Sequence, residues 1–250
     1  MKENSHIGDY QFRVEPFSED VTGQISWGHL GNVLLRCAQF HAEGCGFGFG
    51  PMSRERLSWV FSRLILDFPD GRPRTGDDYV VSTWASTIFR QFTTRLYEMR
   101  RPDGTPWGHV YSVWALINLQ TRQPVDLMAL PTGSFSDILE PVPVDFPITG
   151  PGRIRVRAAV PVAEREVCFT DLDVNGHLNS IRAMEWVLDL FPPGRFQGNG
   201  LRRVEMAYAQ ETFGGERLQF FVDEREGGIC DVELRKTGSG TVAVRAQLVF

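Results

Sequence analysis

No stretch of the 250-residue sequence approaches the ~20 consecutive apolar residues that a membrane-spanning helix needs, and Met1 to His6 lacks the apolar run of a secretory leader. Cysteine is scarce and scattered. Cys37, Cys45, Cys168 and Cys230 form no CxxC pair, and none has a histidine at metal-ligand spacing. That pattern speaks against both a zinc site and a disulfide framework; no metal or organic cofactor is expected, and the cytoplasm is the expected compartment. Lysine is nearly missing too, with Lys2 and Lys236 the only two among 26 basic residues, a bias attributed to genome base composition. Against 31 acidic residues the formal charge is −5, which argues against a general nucleic-acid binder. What is present, 42% hydrophobic and 12% aromatic residues, suffices for a packed core and excludes a disordered or fibrous chain. The length suits two domains of ~100–150 residues or one large one.

The chain repeats itself loosely. Trp27-Gly28-His29-Leu30 opens an apolar segment that runs through Val33, Leu34, Leu35, Ala38 and Phe40. Asn175-Gly176-His177-Leu178 opens another, through Ile181, Met184, Trp186, Val187, Leu188 and Leu190. Both have the i, i+3, i+4 spacing of a helix with a wide buried face; the first stops near Gly44, the second at Pro192-Pro193-Gly194. Each is followed by runs rich in β-branched and aromatic residues: Trp59–Phe68, Tyr79–Trp84, Phe89–Met99 and His109–Leu119, then Val204–Gln210, Leu218–Val222, Ile229–Arg235 and Val242–Phe250. Pro102-Asp103-Gly104 and Gly238-Ser239-Gly240 supply tight turns. The Pro- and Gly-rich stretch from Pro131 to Gly152 reads as a linker. The expected division is an N-terminal half over 1–140, a linker over 141–152 and a C-terminal half over 153–250. Periodicity alone gives an α+β chain of two similar halves, each one helix followed by an antiparallel meander.

The segment Thr170-Asp171-Leu172-Asp173-Val174-Asn175-Gly176-His177-Leu178-Asn179 gathers two acids, two amides and an imidazole ahead of the second helix. Asp and Asn are common helix caps, which accounts for one or two of these residues but not all five. A helix start also offers free N–H groups and a positive dipole end, able to polarise a carbonyl placed near Gly176 and His177. A neighbouring carboxylate can attack or take a proton from water. Counting back from His29 as from His177, the places of Asp171, Asp173 and Asn175 hold Gly23, Ile25 and Trp27, so the first copy is expected to have lost its acids.

The segment DLDVNGHLNS, followed by a helix with Trp186, resembles the signature of acyl-acyl-carrier-protein thioesterases. Trp59-Val60-Phe61-Ser62-Arg63-Leu64 and the stretch from Trp114 to Val125, with Thr121-Arg122-Gln123-Pro124-Val125 as its turn, resemble the first half of that family. The resemblance implies a double hotdog, in which two antiparallel sheets wrap two helices as a pseudo-dimer. It also implies hydrolysis of fatty acyl-ACP to free fatty acid and holo-ACP. Carried over by position, the family's catalytic residues fall on Asp173, Asn175 and His177, and its further Glu on Glu211. Asp171, Gly176, Asn179 and Thr212 would support them. Thr212 stands where plant members often have Cys, which weakens any thiol mechanism; Cys168 and Cys230 are expected to be buried small hydrophobes.

The implied partner is acyl carrier protein bearing a phosphopantetheine-linked acyl chain, with no nucleic acid and no membrane span, on a monomer or homodimer. Arg153, Arg155 and Arg157, alternating as on a strand, Arg202-Arg203 and Arg100-Arg101 are the candidate docking clusters. Phe47, Phe49, Trp84, Phe89 and Trp114 are candidates for lining an acyl pocket. Competing readings are an acyl-CoA thioesterase of the same fold, a hotdog hydratase or dehydratase, and a non-catalytic lipid-binding double hotdog.

Overall fold

The structure is a computed structural model that describes residues 6–130, 134–198 and 200–250; Met1, Lys2 and Pro131, named above, lie outside them. Five strands come from each half: β1 Gly8–Arg13, β2 Leu57–Asp67, β3 Asp78–Phe89, β4 Phe92–Arg100 and β5 Pro106–Asn118, then β6 Ala163–Glu166, β7 Arg203–Tyr208, β8 Arg217–Arg225, β9 Ile229–Lys236 and β10 Val242–Val249. The helices are α1 Trp27–Gly44, α2 Phe49–Arg54 and α3 Ser180–Leu188. All ten strands join one antiparallel sheet in the order β1-β3-β4-β5-β2-β7-β10-β9-β8-β6. Read outward from the centre, both halves have the same order, so the chain is a double hotdog. At the junction Arg63 pairs with Ala207, Ile65 with Glu205 and Asp67 with Arg203, a register symmetric about the Ile65–Glu205 pair.

The helices sit against one face of the sheet because their apolar stripes have nowhere else to go. Leu30, Val33, Leu34 and Cys37 of α1 and Ile181, Met184 and Val187 of α3 share one core with Leu64, Leu66, Tyr79, Val81, Val204 and Val232 from the strands. The two helices meet where α1 is small: an added Cβ at Gly31 would lie 2.7 Å from Ile181 Cδ1, and one at Gly28 would overlap the Glu185 carboxylate. The first half carries a second, smaller core of Phe47, Met52, Leu57, Leu116, Leu127 and Phe135, built around α2, with no counterpart among the described residues of the second half.

The other face of the sheet is covered by the chain between the halves. Phe146 packs against Trp84 and His109, and Ile148 and Ile154 are buried. Gly152 N donates to Glu205 Oε1 (2.7 Å) and Ala158 N to Asp223 Oδ1 (2.9 Å). Burial pushes the Glu205 carboxyl above the usual carboxylate range, with the Gly152 amide opposing. The extended segment therefore runs on past Gly152 to Val162, whose N–H bonds Phe220 O (2.8 Å) just before β6. Arg153, Arg155 and Arg157 lie in this strap and not in a strand.

Candidate active site

The loop before α3 is built from its own short polar side chains. Asp171 closes a 3₁₀ turn over Phe169–Asp171; its Oδ2 accepts from Cys168 N (2.9 Å) and its Oδ1 from the buried Trp186 Nε1 (3.2 Å). Asp171 is thus buried as a brace. Leu172 and Leu178 pair across a small antiparallel loop. Within it Asp173 N donates to His177 O (2.8 Å) and Gly176 N to Asp173 O (3.0 Å), with Gly176 at φ 77°, where a glycine costs least. Asp173 Oδ1 accepts from Asn175 N (2.8 Å) and His177 N (3.1 Å). Asn179 is the N-cap of α3, accepting from Ile181 N (2.8 Å) and Arg182 N (3.3 Å).

These bonds correct two expectations. The helix starts at Ser180, not at Asn175-Gly176, because the left-handed Gly176 and the bridge at Leu178 hold the preceding residues in a loop. The amides expected to polarise a carbonyl are occupied as well: those of Asn175, Gly176 and His177 by Asp173, those of Ile181 and Arg182 by Asn179.

The comparison between halves also changes. The first-half loop repeats the same bonds, but about Asp20: Asp20 N donates to Gln24 O (2.9 Å), Gly23 N to Asp20 O (3.0 Å) and Thr22 N to Asp20 Oδ1 (2.9 Å). Glu19 pairs with Ile25, and Ser26 caps α1. By hydrogen bonding, Asp20 answers to Asp173, Thr22 to Asn175, Gln24 to His177 and Ser26 to Asn179. Gly28-His29-Leu30 lies inside α1, so its match to Gly176-His177-Leu178 is a sequence coincidence with no structural counterpart. The first copy keeps its loop acid and replaces the imidazole. Ile25 N bonds Pro73 O as Leu178 N bonds Thr212 O, which sets Arg72 in the place of Glu211. Arg72 is buried, pairs with Asp20 (3.1 Å) and lies over the Trp27 ring.

In the second half, Glu211 follows β7 and turns its carboxylate toward the loop. Its Oε1 meets the Arg122 guanidinium and lies 3.7 Å from His177 Nδ1. Arg122 Nη2 is also 3.5 Å from His177 Nε2. Arg122 comes from the turn after β5 of the first half, and sequence reasoning gave it no role; the only signal was the Thr121-Arg122-Gln123-Pro124-Val125 turn. The ring of His177 is held edge-on by Phe213 at 4.9 Å and is 13% exposed, whereas Arg122 and Glu211 are each 38% exposed. The cluster stands at the mouth of a cavity of about 440 Å³. Asp173, Asn175, His177, Asn179, Glu211 and Thr212 all line it, over apolar walls that include Trp59, Phe61 and Trp114. Tyr208, whose hydroxyl donates to Ser180 O (2.9 Å) and is pushed up by desolvation, ties β7 to the start of α3. Asp173 and Glu211 share the cavity but not a hydrogen bond; His177 stands between them, its backbone held by the one and its ring facing the other.

A model of the acyl-ACP thioesterase N-terminal domain matches residues 6–129, and one of the C-terminal domain matches residues 158–250. The chain belongs to the acyl-ACP thioesterase family. The crystal structure of an acyl-ACP thioesterase from Bacteroides thetaiotaomicron is 41% identical, with a TM-score of 0.88 and 98% of each chain covered. The 12:0-ACP thioesterase from Umbellularia californica, 21% identical over 98% of this chain and 93% of its own, has a TM-score of 0.82 and attests the fold. The chloroplastic palmitoyl-acyl carrier protein thioesterase of Gossypium hirsutum is 25% identical over 223 residues, 84% of this chain and 53% of that protein. The chain spans about half the length of the curated relatives it matches.

Other candidate residues of this acyl-ACP thioesterase family member lie at this site and well beyond it. Thr212 is buried with its Oγ1 unpaired, and its carbonyl anchors the loop through Leu178 N. Cys230 is buried as expected, but Cys168 is exposed because it opens the surface turn before Asp171. Of the aromatic candidates, Phe47, Phe49 and Trp114 line an inner chamber, Trp84 faces the strap, and Phe89 is exposed at the β3–β4 turn. Arg203 pairs with Asp67 and Arg100 with Asp9, while Arg101 lies over Trp107. Among the described residues no cluster of His, Cys, Asp or Glu could hold a metal ion, and no helix is long and apolar enough to cross a membrane.

Proposed function

We propose that the protein hydrolyses fatty acyl-ACP thioesters, releasing the free fatty acid and holo-ACP. One observation carries the reading: Glu211, held between the Arg122 guanidinium and the His177 ring, stands at the mouth of a cavity with apolar walls. The thioester carbonyl sits at the mouth and the acyl chain fills the space behind. Glu211 takes a proton from water as the water oxygen bonds to the carbonyl carbon. The C–S bond then breaks, and the same proton passes to the departing pantetheine sulfur. Charge developing on the carbonyl oxygen is met by the Asn175 side-chain amide and the His177 ring, since the backbone amides nearby are engaged. Asp173 fixes the loop that presents both; Arg122 pairs with Glu211 and keeps it aimed.

The proposal divides the labour between 1–140, which supplies most of the acyl-pocket wall and Arg122, and 153–250, which supplies the remaining site residues. Carrier protein is acidic, so docking draws on exposed arginines; Arg153, Arg155 and Arg157 on the strap are the candidates left with fewest partners. A rate that falls with salt for acyl-ACP but not for small thioesters is the expected signature.

The deciding experiment replaces each carboxylate by its amide. Glu211→Gln is expected to lower kcat by roughly 10²–10⁴-fold, the usual weight of a positioned base. Asp173→Asn loses much less, because an amide oxygen still accepts from the two loop N–H groups. Release of thiol from acyl-ACP at an undiminished rate by Glu211→Gln would overturn the assignment. Single turnover in ¹⁸O-water distinguishes base from nucleophile: label recovered in Glu211 would show that the carboxylate itself attacks.

A further inference from the structure

Leu35, Trp59 and Trp114 line both the site cavity and an adjoining chamber of about 290 Å³, the inner chamber, whose rim carries the exposed Phe49. Its wall is mainly apolar, with Ala38, Phe47, Met52, Phe135 and Ile138 among its members; Gln39, Ser58 and Thr93 add neutral polar groups, and its one charge is Arg95 of β4. Arg95 is 6% exposed. Its Nη1 bonds His41 Nδ1 (3.1 Å) and Thr83 Oγ1 (3.2 Å); no acceptor among the described residues meets its Nε or Nη2. His41 Nε2 donates to His6 O (2.6 Å), which leaves Nδ1 as an acceptor on a neutral ring. Burial pushes the neighbouring Cys37 thiol up to about 12 and raises Tyr10 and Cys45, so none of these supplies an anion at neutral pH. No carboxylate among the described residues lies within 4 Å of the guanidinium.

A guanidinium does not shed its proton in a protein, so the chamber holds a fixed positive charge whose neighbours are all neutral. Burying such a charge is costly unless an anion joins it. Bracing α1 to the sheet through His41 uses one nitrogen of three. The remaining donors belong to a residue that lines the space where the far end of an acyl chain would lie. We infer that the inner chamber receives an acyl chain ending in a carboxylate, which pairs with Arg95. This substrate class, the monothioesters of dicarboxylic acids, rests on the thioesterase reading of the outer site.

The test uses the full chain and three series of acyl thioesters matched in length, ending in methyl, hydroxyl or carboxylate. At one chain length, where the terminal group reaches Arg95, the carboxylate-ended ester is expected to exceed the methyl-ended one in kcat/KM by about tenfold or more, the scale of one paired charge. Arg95→Met should abolish or reverse that ratio, and Arg95→Lys should retain part of it. Methyl-ended esters preferred at every length, a hydroxyl preferred over a carboxylate, or a ratio unaltered by Arg95→Met would overturn the inference. Should Arg95→Met not fold, the wild-type ratio still decides. A second arm needs no catalysis: free dicarboxylic acids should raise Tm more than monocarboxylic acids of equal length, and equal shifts count against the pairing. If no thioester of any series or length is hydrolysed, the thioesterase reading fails by itself, while the Tm arm still judges Arg95.

Discussion

Arg122 has a left-handed backbone (φ 57°), unusual for a residue with a side chain. Asn118 sets up the turn: its Oδ1 accepts from Gln120 N (2.9 Å) and Thr121 N (3.0 Å), and its carbonyl accepts from Arg122 N (2.8 Å). That conformation costs about 1 kcal/mol, and what it gains is a cation on Glu211. Backbone and side chain can therefore be separated. Arg122→Gly is expected to leave Tm unchanged or higher while kcat drops about 10–100-fold. Arg122→Val should lose both, because a β-branched residue resists the left-handed region; melting curves beside thioester assays check the contrast. The residues around Asp173, Asn175, His177 and Glu211 were legible because their types and spacing are unusual, and they do converge on one cavity. Arg122 was not, since nothing local in a turn on the other half of the chain says which site it will reach. Nor was the occupancy of the loop amides legible, because an Asp two residues ahead of an Asn reads equally as catalyst or as turn-former.

Among the elements, the long periodic ones could be read and the short edge ones could not. The eight long strands and α1 follow from alternation and helical spacing, which core burial enforces. Ala163–Glu166 is an edge strand that is fully exposed, so no apolar pattern marks it, and Gly8–Arg13 alternates over only two apolar residues, Tyr10 and Phe12, too short a signal to stand out. They exist because β3 and β8 offer unpaired edges. Where α3 begins is likewise fixed by the Asn179 cap and the Gly176 turn rather than by its apolar stripe. The crossing of α1 over α3 depends on absent side chains: at Gly31 an added Cβ would lie 2.7 Å from Ile181. Gly31→Val is expected to lower stability by about 1–3 kcal/mol through overpacking. Reversible thermal denaturation would show this as a Tm lower by roughly 2–10 °C.

The whole molecule carries a pH dependence written by His41, which lies buried between α1 and the sheet. Burial, and then the nearby Arg95 charge, lower its pKa to about 4. The unfolded chain takes up a proton near pH 6.5 and the native one does not, so the stabilising contribution is complete above that pH and is lost progressively down to about 4. The loss amounts to about 3 kcal/mol for a shift of that size. Glu205, raised by burial, acts in the opposite sense just above the ordinary carboxylate range. The two are separated by His41→Gln, which should flatten the decline between pH 6.5 and 4 in urea titrations; an equally steep decline would refute the assignment. The continuous sheet through Ile65 and Glu205 makes these transitions global rather than local to one half. Two separate copies of a single hotdog gene product must carry identical loops, so neither can exchange a histidine for Gln24, or a glutamate for Arg72, without disarming its twin. Tandem duplication lifts that constraint: one loop was freed to drift into an internal ion pair, while its sister kept an acid and an imidazole facing the cavity.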